Sequence, residues 1–130
     1  MMAGIIAQSS VMLCRDVPEA IAFWRDVFGF VVDNTFGEPP GFAIMQRDGA
    51  WVMLGATDAP VSPLRNGRDG LSDAYFWVTD ALAEFELQAD RGGKPDYGPC
   101  LQPYGVLEFG MLTPDNHLIG FGQVRASGSA

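Results

Sequence analysis

Residues 16–30 read DVPEAIAFWRDVFGF, and residues 80–94 read DALAEFELQADRGGK. The two share few letters and one outline. Each opens on an Asp after a short apolar run, and each reaches a Gly at the same distance, Gly29 and Gly93, the second copy lying 64 positions after the first. Asp16 is placed to cap a helix, with Glu19 as the second half of a capping box, since both side chains can bond backbone N–H groups that a first turn leaves unpaired. Pro18 sits in that first turn, where its missing donor is harmless. Ala20, Ile21, Trp24, Val27 and Phe28 then fall on one helical face, and Gly29 ends the helix in the left-handed conformation. In the second copy Asp80 caps a helix whose apolar positions include Leu82, Phe85 and Leu87, and Gly92-Gly93 ends it.

Working outward, Ile5 to Leu13 reads as a strand before the first helix, and Phe30 to Asn34, Gly41 to Gln46 and Ala50 to Leu54 as three strands after it. Asp48-Gly49 is a tight hairpin signal. Around the second helix lie Ala74 to Val78, a weak strand or loop at Pro95 to Leu101, then Val106 to Leu112 and, after the turn TPDN, Leu118 to Gln123. This is an α+β chain of two tandem βαβββ modules, about 5–55 and 71–124, joined by the patternless linker 56–70 within one domain, 1–130. The expected arrangement is a curved mixed sheet with the helices outside and a cleft inside.

Composition limits the partners. Hydrophobic residues at 48% and charged residues at 18% suit a globular chain, not a disordered one. A formal net charge of −8 argues against nucleic acid, which needs a basic stripe, and favours a cationic ligand electrostatically. The two cysteines, Cys14 and Cys100, form neither a C-x-x-C pair nor a disulfide framework. Without a signal h-region or a spanning run, the expected location is the cytoplasm, with no membrane partner. The tail from Arg125 to Ala130 is expected to fray.

Three stretches carry a resemblance to the vicinal oxygen chelate superfamily, which includes glyoxalase I, the bleomycin and fosfomycin resistance proteins and extradiol dioxygenases. They are VMLCRDVPEAIAFWRDVFGF (11–30), RDGAWVML (47–54) and YGVLEFGMLTPDNHLIGFGQ (104–123), and the likeness extends over roughly Ile5 to Gln123. The resemblance implies a fold more than a reaction, because that scaffold hosts isomerases, transferases, oxygenases and plain binders. Metal-using members hold a divalent ion with His, Gln or Glu from four strands. The matching positions here are Ser9, Met53, Asp73 and Gly120, a set with one good oxygen ligand, so the resemblance implies no metal and no cofactor. In character the chain is closest to the bleomycin-resistance-like members, which bind ligand between two chains, and a homodimer is expected on that ground.

Period-2 alternation places Val11 and Leu13 on the face of Ser9, Trp51 with Met53, Tyr75 and Trp77 with Asp73, and Leu118 and Gly122 with Gly120. Such a face suits a flat, partly apolar organic ligand, with Asp73 as counter-charge to a cation. The alternate register would present Ala74, Phe76 and Val78 instead. Glu108 lies inside the apolar strand VLEFGML, where a carboxylate must be solvated or paired; it reads equally as a structural hydrogen-bond anchor or as a ligand-facing acid. His117, the single histidine, reads as structural. The binding residues expected are therefore Ser9, Trp51, Met53, Asp73, Tyr75, Trp77, Tyr104, Glu108 and Gly120. Three functions stay open: a metal-free binder of an organic ligand of the antibiotic-sequestering kind, a metal-dependent lyase, isomerase, transferase or dioxygenase with atypical ligands, and metal-free acid/base catalysis by Asp73, Glu108 or Tyr104.

Overall fold

The computed structural model describes residues 2–64 and 71–125. The end of the linker, 65–70, and the tail, 126–130, lie outside the described residues. The chain divides into two compact units, Met1–Val61 and Ser62–Ala130. Each carries one helix and one four-stranded mixed sheet.

In the first unit, β1 (Ser9–Cys14), α1 (Val17–Asp26), β2 (Val31–Phe36), β3 (Phe42–Arg47) and β4 (Ala50–Ala56) form a sheet of order β1-β4-β3-β2. Only β1 and β4 run parallel. Asp16 caps α1 as its residue type requires, its Oδ1 accepting from Glu19 N at 3.0 Å. Asp48 and Gly49 both take positive φ, 51° and 86°, which is the backbone a two-residue hairpin between paired Arg47 and Ala50 needs. That turn also sets where β1 begins. Because β4 starts at Ala50 and Ser9 pairs with Trp51, β4 offers no partner to residues before Gln8. The strand expected from Ile5 is therefore shorter, and Ile5 and Ile6 are exposed. Trp24 meets Phe28 and Phe30 edge-on at 4.7 and 5.0 Å, and these rings are buried, as are Met12, Val52 and Leu54 of the sheet. Each such side chain contributes about 1.5–3 kcal/mol by leaving water.

The second unit repeats the order. β5 (Ala74–Trp77), α2 (Ala81–Asp90), β6 (Lys94–Leu101), β7 (Val106–Leu112) and β8 (Leu118–Val124) form the sheet β5-β8-β7-β6, with β5 and β8 parallel. Its core is a run of rings: Phe85 of α2 lies 5.3 Å from Phe109, Phe109 stacks on Phe121 at 5.1 Å, and Phe121 lies 5.7 Å from Phe76. Gln123 Oε1 accepts from Ala81 N at 2.9 Å, tying the first turn of α2 to β8.

The face of α2 differs from its apolar letters. Asp80 caps Ala83 N at 3.0 Å, and the phase it sets buries Ala81, Glu84 and Gln88, leaving Leu82 and Leu87 exposed. Burial of Glu84 and Gln88 is tolerated because Gln88 Nε2 donates to Glu84 Oε2 at 2.7 Å. The segment read as a weak strand or loop, Pro95 to Leu101, is a strand with two register shifts against β7, between Pro95 and Tyr97 and between Tyr97 and Cys100. Among the described residues no helix is long and apolar enough to cross a membrane.

Candidate functional site

Alternation on β7 sends Leu107, Phe109 and Met111 toward α2 and leaves Glu108 and Gly110 on the opposite face. There Glu108 pairs across to Gly122 and Gly110 to Gly120, and β5 sets Tyr75 beside Gly120 and Trp77 beside Gly122. Phe76 belongs to the ring stack facing α2, so Tyr75 and Trp77 share the face of Glu108. The glycines supply room, and it is filled: a Cβ at Gly120 would lie 2.5 Å from Tyr75 Cδ2, and one at Gly122 would collide with Tyr75 Oη. A Cβ at Gly110 would likewise meet the Tyr97 ring. Gly120, expected as part of a binding wall, is the floor under Tyr75.

Glu108 is only 6% exposed and is paired by tyrosines. Tyr75 Oη and Tyr104 Oη donate to its Oε1 at 2.7 and 2.9 Å, and Tyr97 Oη donates to Oε2 at 3.0 Å. Gln102 Nε2 adds a longer contact to Oε2 at 3.4 Å. These are all three tyrosines of the chain. Four elements deliver them: β5 brings Tyr75, the shifted register of β6 brings Tyr97, β7 brings Glu108, and the β6–β7 loop brings Gln102 and Tyr104. That loop is closed by Gln102 N bonding to Val106 O and Gly105 N to Gln102 O, both at 2.9 Å. Trp77 stands edge-on to Tyr75 at 5.1 Å and is 65% exposed; Tyr104 is 66% exposed.

The phenols hold their protons tightly. Burial, then the hydrogen bond and charge of Glu108, push Tyr75 well above its ordinary value of 10.0; burial, then Glu108's charge and hydrogen bond, do the same to Tyr97. Tyr104 is raised in the same sense by burial and its bond to Glu108. The folded chain therefore keeps protons that the unfolded chain releases near pH 10, so this contribution to stability is complete below about pH 10 and is lost as pH climbs through the raised values. An alkaline titration followed at 295 nm is expected to show less tyrosinate at pH 10 than the unfolded chain, whose free phenols are half ionised there, and then a rise that coincides with unfolding. Three independent transitions near pH 10 with the fold intact would contradict the arrangement.

Asp73 is engaged elsewhere. Its Oδ1 accepts from Leu64 N at 2.8 Å, its Oδ2 accepts from Leu118 N at 3.0 Å, and Oδ2 also lies 3.4 Å from His117 Nδ1. Both oxygens thus serve the backbone, and the carboxylate on the tyrosine face is Glu108. Ser9, Trp51 and Met53 lie in the first unit, Ser9 as Cα partner of Trp51, with Met53 paired to Val11 and all three only partly buried. The donor set at the four metal-matching positions is a hydroxyl, a thioether, a carboxylate bonded to two backbone N–H groups and a glycine beneath a ring. That set does not fit a divalent ion. Among the described residues no group of three or more His, Cys, Asp and Glu could hold one.

Of the expected residues, Tyr75, Trp77, Tyr104, Glu108 and Gly120 come together on one face of the second unit. Tyr97 and Gln102 belong with them and were not anticipated, because Pro95, Gly98 and Pro99 break the strand pattern around Tyr97. The available signal was a count: one acid in an apolar strand and three tyrosines, all within the second module.

Comparison with known proteins fits this fold. The family model described as Glyoxalase/Bleomycin resistance protein/Dioxygenase superfamily matches residues 7–121, and the chain belongs to that superfamily. No curated protein sequence matches it significantly. Among solved structures, the bleomycin-binding protein of bleomycin-producing Streptomyces verticillus, complexed with copper(II)-bleomycin, is similar at 29% identity and TM-score 0.66, covering 92% of this chain and 97% of that one. TnmS3, an antibiotic binding protein from Streptomyces sp. CB03234, is similar at 20% identity and TM-score 0.74, covering 95% and 99%. TioX from Micromonospora sp. ML1 is similar at 19% identity and TM-score 0.76, covering 91% and 98%.

Proposed function

We propose that this chain binds a small organic molecule on the tyrosine face of its second module, without a resident metal and without turning the ligand over. The observation that carries the reading is the cluster itself. Three phenols converge on one buried carboxylate beside an exposed Trp77, which is a costly arrangement to hold for packing alone, since apolar side chains would fill the same space without a buried charge. Flat aromatic surface with a few fixed polar atoms suits an aromatic or partly apolar ligand, and the net charge of −8 favours a cationic one. Similar structures described as binding bleomycin and as antibiotic binding support the same class of ligand. A homodimer goes with this reading, supported by exposed apolar residues at the β1 and β2 edges of the first sheet, Val11, Leu13, Val31, Val32 and Phe36.

The test is metal analysis of protein purified without chelator, with thermal-shift screening against divalent ions and against cationic aromatic antibiotics, bleomycin among them. The expected result is substoichiometric metal and a rise in Tm with an organic cation only. Stoichiometric metal, or a large rise with Mn, Fe, Ni or Zn, would replace this reading with a metal-dependent enzyme using atypical ligands.

A further inference from the structure

We propose that the tyrosine face selects hydrogen-bond donors, and that Glu108 imposes this choice without touching the ligand. The inference rests on the binding reading above and adds the chemical polarity of the group that is bound. An ionised carboxylate only accepts, and it offers about four lone-pair sites. Here those sites are met by Tyr75, Tyr97, Tyr104 and Gln102, at 2.7, 3.0, 2.9 and 3.4 Å. Glu108 has no site left for a ligand donor.

The consequence falls on the phenols. A phenol has one proton and two lone pairs, and in each of these three the proton is committed to Glu108. What each oxygen can show a ligand is a lone pair, made more electron-rich because its own O–H is donating to a carboxylate. The upward shift of Tyr75 and Tyr97 agrees, since these phenols do not give up the proton. A free tyrosine can rotate its hydroxyl to suit donor or acceptor; a tyrosine tied to Glu108 cannot. The face therefore welcomes amide N–H, amidinium or ammonium groups on a flat ring and repels carboxylates, phosphates and lone carbonyls. Tyr104 and Trp77, the exposed members, are where such a ligand first makes contact.

Charge and hydrogen-bond polarity are separated by a neutral, isosteric pair: benzamide, which carries an NH₂ donor, and acetophenone, which has a methyl in its place. Each is titrated into the full chain while backbone amide shifts of Gly110, Gly120 and Gly122 report the face by NMR. Benzamide is expected to bind several-fold more tightly, about the 3- to 10-fold that one hydrogen bond supplies. Glu108→Gln is the discriminating variant. In the place of Oε1 its NH₂ meets Tyr75 and Tyr104, in the place of Oε2 it meets Tyr97 and Gln102, and each phenol it donates to turns its own proton outward, so the benzamide preference falls; a purely structural role would weaken both probes equally. Equal affinities in the parent chain, or a preference for acetophenone, would overturn the polarity rule and leave the binding reading standing. If neither probe moves those glycine amides up to its solubility limit while bleomycin moves amides elsewhere, both the rule and the location of the site are wrong.

Discussion

Glu108→Ala is expected to lower the free energy of unfolding by about 3–5 kcal/mol, read from urea denaturation at neutral pH. Two effects oppose each other. Deleting the acid removes a charge whose burial costs several kcal/mol, which by itself would stabilise the fold. That cost is already offset in the native state by the donors around Glu108, which remain when the acid is gone. Tyr75 and Tyr97 are then left partly buried with no acceptor, at about 1–3 kcal/mol each, while the exposed Tyr104 regains water. A cavity where the side chain stood adds to the loss. Orphaned donors outweigh the relieved charge. Glu108→Gln keeps the volume and one acceptor oxygen, so its cost is smaller, about 1–2 kcal/mol. An alanine variant within about 1 kcal/mol of the parent would mean that the phenols do not depend on this carboxylate.

Gly122→Ala is expected to be nearly as damaging, at about 2–4 kcal/mol, although it adds a single methyl group. The new Cβ would collide with Tyr75 Oη and stand 2.9 Å from Val106 Cγ1. Tyr75 cannot swing aside cheaply, because its hydroxyl is fixed to Glu108 and its ring lies over Gly120. Overpacking costs about 1–3 kcal/mol and breaking a hydrogen bond to a charged group about 1.5–3, and the two overlap because one displaced ring causes both. The double-mutant cycle with Tyr75→Ala decides the mechanism. With the ring removed, the added methyl keeps only its 2.9 Å contact with Val106 Cγ1, so the two changes should cost less together than their sum by more than about 1 kcal/mol. Strict additivity would show that Tyr75 is not seated over Gly122.

How far the residues speak for themselves varies along the chain, for physical reasons. The caps Asp16 and Asp80 and the Asp48-Gly49 hairpin are local signals, and the folded chain uses each one as its chemistry suggests. Tyr75 and Trp77 are legible together because a period of two, once anchored, sorts side chains along a strand, while Glu108 stands out separately as the one acid in an apolar strand. The helix α2 was less so. Leu82 and Leu87 are the more apolar letters, yet the cap phase and a Glu84–Gln88 bond bury a polar pair in their place, and a pattern of apolar letters does not register an i,i+4 pair of polar ones. The side-chain pattern presents Asp73 as a charge facing a ligand, but backbone N–H groups of Leu64 and Leu118 bond its two oxygens, and backbone partners are invisible in such a pattern. Tyr97 was hidden for a different reason. Pro95, Gly98 and Pro99 look like loop, while the register shifts they accompany are what bring Tyr97 opposite Gly110.

A crystal structure of the chain soaked with benzamidinium tests the whole account most directly. The prediction is the planar cation lying against Trp77 and Tyr104, its N–H groups on phenol oxygens, with Tyr75, Tyr97 and Tyr104 still bonded to Glu108. Benzamidinium bound straight to the Glu108 carboxylate with the phenols turned away, or bound only on other surfaces, would contradict it.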